Sequence, residues 1–131
     1  MKNKINYQAI TFTNEGYVKY TENLLKSIVD NGVNLKLKIF TLDDKSFEHF
    51  NKIHNYVELL EKSSDFSFFM DQKSERFGKL MIKKFECIHK TLLENKNTLY
   101  IDGDIVIKKN FINKLVDKMN KNNLDFIFQN D

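Results

Sequence analysis

Two aspartates separated by a single glycine, Asp102-Gly103-Asp104, are the residues in this sequence best suited to chemistry. They follow the apolar run Thr98 to Ile101 and precede a second apolar stretch, Ile105-Val106-Ile107. Side chains two apart on an extended segment point the same way, so the spacing predicts two carboxylates on one side with only backbone between them. Hard oxygen ligands of this kind suit Mg2+ or Mn2+, which complete their shells with phosphate oxygens and water. The missing side chain at Gly103 leaves room for a diphosphate, and open parallel sheets bind ligands beyond the carboxyl ends of their strands. A bare D-x-D also arises as two solvated turn carboxylates. The apolar strand leading in, the amphipathic helix before it and the apolar segment after it favour the metal reading.

The elements that must position this pair follow from periodicity. Tyr7 to Thr13 reads as a strand, ending in the loop Asn14-Glu15-Gly16. Leu24, Leu25 and Ile28 recur at helical spacing within Tyr17 to Asn31, and Gly32 stands where a helix terminates. Leu35 to Leu42 predicts a second strand, and Asp44 to His54 a helix with Phe47, Phe50 and Ile53 facing inward. Tyr56 to Leu60 predicts a third strand. Arg76 to Asn95 carries Leu80, Met81, Phe85, Ile88, Leu92 and Leu93 at 3.6-residue spacing, the clearest helix in the chain. Thr98 to Ile101 reads as a strand covered on both faces. A helix over Asn110 to Asn122 and a strand over Leu124 to Gln129 complete the pattern. Helices between successive strands require crossover connections, which predicts an α/β fold: a mainly parallel open sheet with helices on both faces.

The 131 residues form one domain by length, long enough for a genuine core. Twelve Phe and five Tyr in a chain that is 41% hydrophobic argue against disorder. A net charge of +3, with basic and acidic residues interspersed, gives no concentrated patch for nucleic acid. Cys87 is the only cysteine and has no intramolecular disulfide partner, which points to a reducing compartment. No leader-like or membrane-spanning apolar run is present, so a cytoplasmic location is expected. The histidines His49, His54 and His89 lack metal-ligand spacing. Cys87 reads as a small packing residue, and Phe66-Ser67-Phe68-Phe69-Met70 reads as core more readily than as a partner surface.

The segment FGKLMIKKFECIHKTLLENKNTLYIDGDIVIKKN resembles the GT-A nucleotide-diphospho-sugar transferases, a Rossmann-like fold. The likeness is to plant xylosyltransferases of rhamnogalacturonan and, more distantly, to glycogenin-like enzymes. Weaker likeness lies in AITFTNEGYVKYTENLLKSI, KIFTLDDKSFEHF and DFIFQND, in the family's order. The resemblance implies a glycosyltransferase, or its donor-binding part, acting on a nucleotide-sugar donor of the UDP-sugar type with Mn2+ or Mg2+ on the D-x-D. Asp104 becomes the direct ligand, and Asp102 is shared between metal and ribose. Lys84 resembles the helix lysine that reaches the phosphates, with Lys83 as the alternative register and a solvated lysine as the plain alternative. Thr13, Asn14 and Tyr17 look like the family's nucleoside pocket, although Thr and Asn also cap helices. Asp43 sits where acids of dinucleotide folds hold ribose, yet Asp43-Asp44 also suits a helix start. Asp131 resembles a residue near the donor sugar.

The family pattern runs further, with a later histidine ligand and an acceptor pocket. The chain is therefore expected to be the nucleotide-binding part of a larger enzyme, or a shortened relative that completes its sheet edge in a homo-oligomer. Retention of anomeric configuration follows from the resemblance alone, and the acceptor stays open. Two rivals remain: a non-catalytic nucleotide-sugar-binding module, and a haloacid dehalogenase-like phosphohydrolase in which Asp102 of LYIDGDIVI is the nucleophile.

Overall fold

The computed structural model describes residues 6–60, 75–94 and 97–129. Strand β1 spans Tyr7–Thr13, and a 3-10 turn over Glu15–Tyr17 leads into helix α1, Val18–Asp30. Strand β2 (Leu37–Thr41), helix α2 (Asp44–Ile53) and strand β3 (Val57–Leu59) follow, then helix α3 (Glu75–Leu93), strand β4 (Asn97–Tyr100) and helix α4 (Ile112–Asn122). The four strands form one all-parallel sheet in the order β3-β2-β1-β4.

Alternation along the strands divides the core between two faces. On one face Ala9, Leu37 and Ile39 meet Leu24 and Ile28 of α1 and Phe50 of α2. On the other, Ile10 and Phe40 meet Cys87 of α3, with Phe12, Ile88 and Tyr100 half-buried around them. Helices thus cover both faces, as the sequence pattern predicts. Each fully buried side chain of this size contributes about 1.5–3 kcal/mol, so β1 and β2 are held firmly from both sides. Burial also pushes the Cys87 thiol up to about 12, consistent with a packing role.

Helix α1 ends in a Schellman motif. The Val33 N–H donates to the Ile28 carbonyl at 3.0 Å and the Gly32 N–H to Val29 at 3.1 Å, with Gly32 at φ 59 where a β-carbon would be strained. Asn123 plays the same part after α4 at φ 49, with the Leu124 N–H donating to Met119.

Several sequence expectations fail for identifiable reasons. Leu124 to Gln129 forms no strand, and Phe126 and Phe128 stay 70% and 80% exposed. Strand β4 pairs with β1 alone among the described residues and is half-buried, with Leu99 packing on one face of the sheet and Tyr100 on the other. Ile53 is exposed, being the last residue of α2. On α3, Phe85, Leu92 and Leu93 are exposed. The buried line there runs through Leu80, Cys87 and Thr91, and the apolar stripe is wider than the sheet it covers. The Phe66 to Met70 cluster and Asp131 lie outside the described residues.

Candidate functional site

The chain proceeds from β1 to β2 to β3 in one direction, then returns to place β4 on the other side of β1. This reversal is a topological switch point at the carboxyl ends of β1 and β4, the kind of place where open parallel sheets bind ligands. The two strands are in register with Ile10 opposite Tyr100, and the Ile101 N–H donates to the Ile10 carbonyl at 3.0 Å, so Asp102 emerges beside the end of β1.

Asp102 to Asp104 do not continue the strand. They make a turn in which the Ile105 N–H donates to the Asp102 carbonyl at 3.2 Å. Strand alternation therefore does not set the relation between the two acids, although both are exposed. Beyond the turn the chain is fastened to α1. The Ile107 N–H donates to Ser27 Oγ at 2.9 Å, and Asn31 Nδ2 donates to the Ile107 carbonyl at 2.8 Å.

Gly103 sits close against α1 and β1. A β-carbon there would stand 3.1 Å from Thr21 Oγ1 and 3.4 Å from the Phe12 carbonyl. Thr21 Oγ1 is itself engaged, donating to Thr13 Oγ1 at 2.8 Å, and the Phe12 carbonyl is backbone. Gly103→Ala is expected to push the turn away from α1 and β1 and to lower stability by about 1–3 kcal/mol. Thermal unfolding reads it, and a parent-like melting temperature would show that the turn tolerates the added methyl.

Helix α3 brings Lys84 to Asp102. Lys84 Nζ lies 3.3 Å from Asp102 Oδ1 and 4.4 Å from the centre of the Tyr100 ring, whereas Lys83 pairs with Glu86 one turn away at 3.0 Å. Burial, then the charge of Asp102 and a hydrogen bond to it, push the Tyr100 phenol far up, so its hydroxyl stays protonated and donates to the carboxylate. Tyr100 is a site residue that sequence reasoning missed. It stands opposite Ile10 of β1, on the α3 side of the sheet.

On the β1 side, Asn14 and Asp43 are both buried and both cap. Asn14 Oδ1 accepts from the Tyr17 N–H at 3.1 Å. Asp43 Oδ1 accepts from the Ser46 N–H at the start of α2, and its Oδ2 from the Glu15 N–H, each at 2.7 Å. Asp43 thereby ties the loop after β1 to α2, which accounts for its position. Thr13 is buried with its hydroxyl against Thr21 and donating to the Asn14 carbonyl at 3.4 Å. Tyr17 is half-buried, its ring 6.0 Å from that of Tyr20 and packed in a cluster with Leu42 and Leu80. Thr13, Asn14 and Asp43 thus fix the loop, and the Tyr17 side chain borders it. Thr11 was not singled out by sequence. Among the described residues its hydroxyl is the buried side-chain polar atom with no hydrogen-bond partner, a state that costs about 1–3 kcal/mol.

Two of the three histidines are engaged elsewhere. His49 Nε2 faces Glu22 at 2.6 Å, and His54 contacts the Leu37 carbonyl. Among the described residues no group of three or more His, Cys, Asp or Glu side chains stands close enough to hold a metal ion, and no helix is long and apolar enough to cross a membrane.

The family model for nucleotide-diphospho-sugar transferases matches residues 23–131. The chain belongs to this family. No curated protein and no solved structure matches it. The part matching the nucleotide-diphospho-sugar transferases includes β2 to β4, α3 and the D-x-D turn, while Thr11, Thr13, Asn14 and Tyr17 precede it. A nucleotide-diphospho-sugar transferase fold also disfavours the dehalogenase-like reading of Asp102 as a nucleophile, because that reading belongs to a different family.

Proposed function

We propose that this chain binds a nucleotide-diphospho-sugar, of the UDP-sugar type, beyond the carboxyl ends of β1 and β4 and transfers its sugar to an acceptor. The observation that carries this reading is the meeting of Asp102 and Lys84 at the end of β4, at the point where strand order reverses. A carboxylate and an ammonium from different elements, half-exposed and only 3.3 Å apart, suit a ligand carrying both a cation and phosphate.

The residues fit a divalent metal of a particular kind. Two exposed acids offer hard oxygen ligands, and no third His, Cys, Asp or Glu among the described residues joins them. That donor set is too sparse for an all-protein cage and suits Mg2+ or Mn2+ shared with a diphosphate and water. Asp104 and Asp102 would hold it. When bound, such a cation neutralises charge on the departing nucleoside diphosphate.

The chain's own groups supply the rest. The Lys84 ammonium, steered by the Tyr100 ring and Asp102, donates hydrogen bonds to the diphosphate as its charge grows. Gly103 lets the turn sit low against β1 so that the phosphates approach backbone. Thr13, Asn14 and Tyr17 border the place for the nucleoside, and Asp43 holds that loop in position. Donor-sugar contacts, including any by Asp131, belong to the same expectation.

Two measurements test this. Calorimetry with UDP and GDP, with and without Mn2+, is expected to show metal-dependent binding of one of them; no binding of either sinks the reading. Release of free nucleotide from the matching sugar donor separates a transferase from a binding module. Lys84→Met is expected to lower kcat/KM about 10- to 100-fold, the worth of about 1.5–3 kcal/mol for a hydrogen bond to a charged group. It should leave the melting temperature nearly unchanged, since its ion pair is half-exposed.

A further inference from the structure

We infer that Thr11 is a positioning residue for the D-x-D turn: its idle hydroxyl takes up a hydrogen bond with a peptide group of Asp102–Asp104 when the turn settles onto the donor's diphosphate. The inference rests on the donor site proposed above and deepens it.

Thr11 lies on β1 with its side chain on the α1 face, fully buried. Its neighbours on that face are satisfied, since the Thr21 and Thr13 hydroxyls bond each other at 2.8 Å and Thr13 also donates to the Asn14 carbonyl. Thr11 Oγ1 alone among the described buried side chains has no partner. Valine has the same shape, suits a strand equally and carries no such penalty. A threonine kept here therefore points to a use for the hydroxyl.

What stands nearest identifies that use. A β-carbon on Gly103 would lie 3.6 Å from Thr11 Oγ1, so the turn's backbone is the roof over the hydroxyl. A peptide group of the turn reaches the hydroxyl by a small descent. Few contacts oppose such a descent. It is strung between the Ile101–Ile10 hydrogen bond and the Ile107–Ser27 hydrogen bond, and between those anchors Ile105 and Val106 are exposed rather than packed. Within the turn the Ile105 N–H donates to the Asp102 carbonyl, a bond that a descent of the whole turn preserves. Asp102 and Asp104 flank Gly103 directly, so the depth of the turn sets where both carboxylates stand.

Calorimetry with Mn2+ and UDP or GDP, with thermal unfolding, on the parent, Thr11→Val, Thr11→Ser and Asp104→Asn tests this. Thr11→Val is expected to melt no lower than the parent and to bind about tenfold more weakly. Thr11→Ser, which keeps the hydroxyl, should stay within about twofold of the parent. If Asp104→Asn loses affinity while Thr11→Val binds like the parent, Thr11 has no positioning role and the donor site stands. A lower melting temperature for Thr11→Val also overturns the inference, because the hydroxyl would then be bonded already. If the parent binds neither nucleotide, the donor site itself falls and this inference falls with it.

Discussion

Asp104→Ala is expected to remove metal-dependent nucleotide affinity and to reduce turnover by about 10²–10³, the usual effect of deleting one preorganised electrostatic contact, while the melting temperature barely moves. The side chain is exposed on a turn, so its loss opens no cavity and a change within about 0.5 kcal/mol is anticipated. Asp102→Ala should behave differently although it removes the same chemical group. Asp102 accepts from Lys84 and from the half-buried Tyr100 phenol, so its removal leaves that hydroxyl without its acceptor at a cost of about 1–3 kcal/mol. The two acids therefore separate: one variant loses function alone, the other loses function and stability together. Calorimetry with Mn2+ and UDP beside thermal unfolding reads both. Mn2+-dependent binding by Asp104→Ala at parental strength would remove that acid from the metal site.

The separation reflects what the sequence could and could not convey. The D-x-D spacing and the amphipathic period of α3 are local, so the acidic pair and a lysine on the preceding helix are legible from residue type alone. Lys84 and Lys83 are adjacent, and only the rotation of α3 on the sheet places Lys84 at 3.3 Å from Asp102. Thr11 and Tyr100 depend on the register between β1 and β4, segments some ninety residues apart, which no local pattern encodes. Leu124, Phe126 and Phe128 show the opposite failure: their alternation is that of a strand, but a strand exists only where the backbone pairs with a neighbour, and among the described residues this segment pairs with none. The caps were legible as caps. Asn14 and Asp43 each precede a helical turn, and each accepts from the amide three residues on.

Helix α3, which carries Lys84, is tied to the sheet at its other end by a second lysine–carboxylate contact. There the second large effect is expected. Glu58 of β3 accepts from Lys90 of α3 and from Lys38 of β2, the latter at 2.6 Å. The Lys38 side chain is only 7% exposed, with its ammonium 4.7 Å from the Phe40 ring centre and 5.2 Å from that of Tyr56. Glu58→Gln would leave that ammonium buried without its counter-charge. Breaking a buried pair costs about 3–5 kcal/mol. Partial exposure of Glu58 and the two aromatic rings favour the lower end, a fall in Tm of about 10 °C for a domain of this size. The pH dependence has a definite sign. Burial alone would raise the Glu58 carboxyl, but the hydrogen bonds and charges of Lys38 and Lys90 outweigh it and hold the carboxyl below its ordinary range. Its contribution is therefore complete above the unfolded pKa and is lost as pH falls through the lower, folded value. Thermal unfolding from pH 7 down to pH 3 should show the parent losing this increment in acid while Glu58→Gln, already lacking it, declines less. Parallel decline of the two proteins would mean that Lys38 draws its compensation from the rings and the backbone rather than from Glu58.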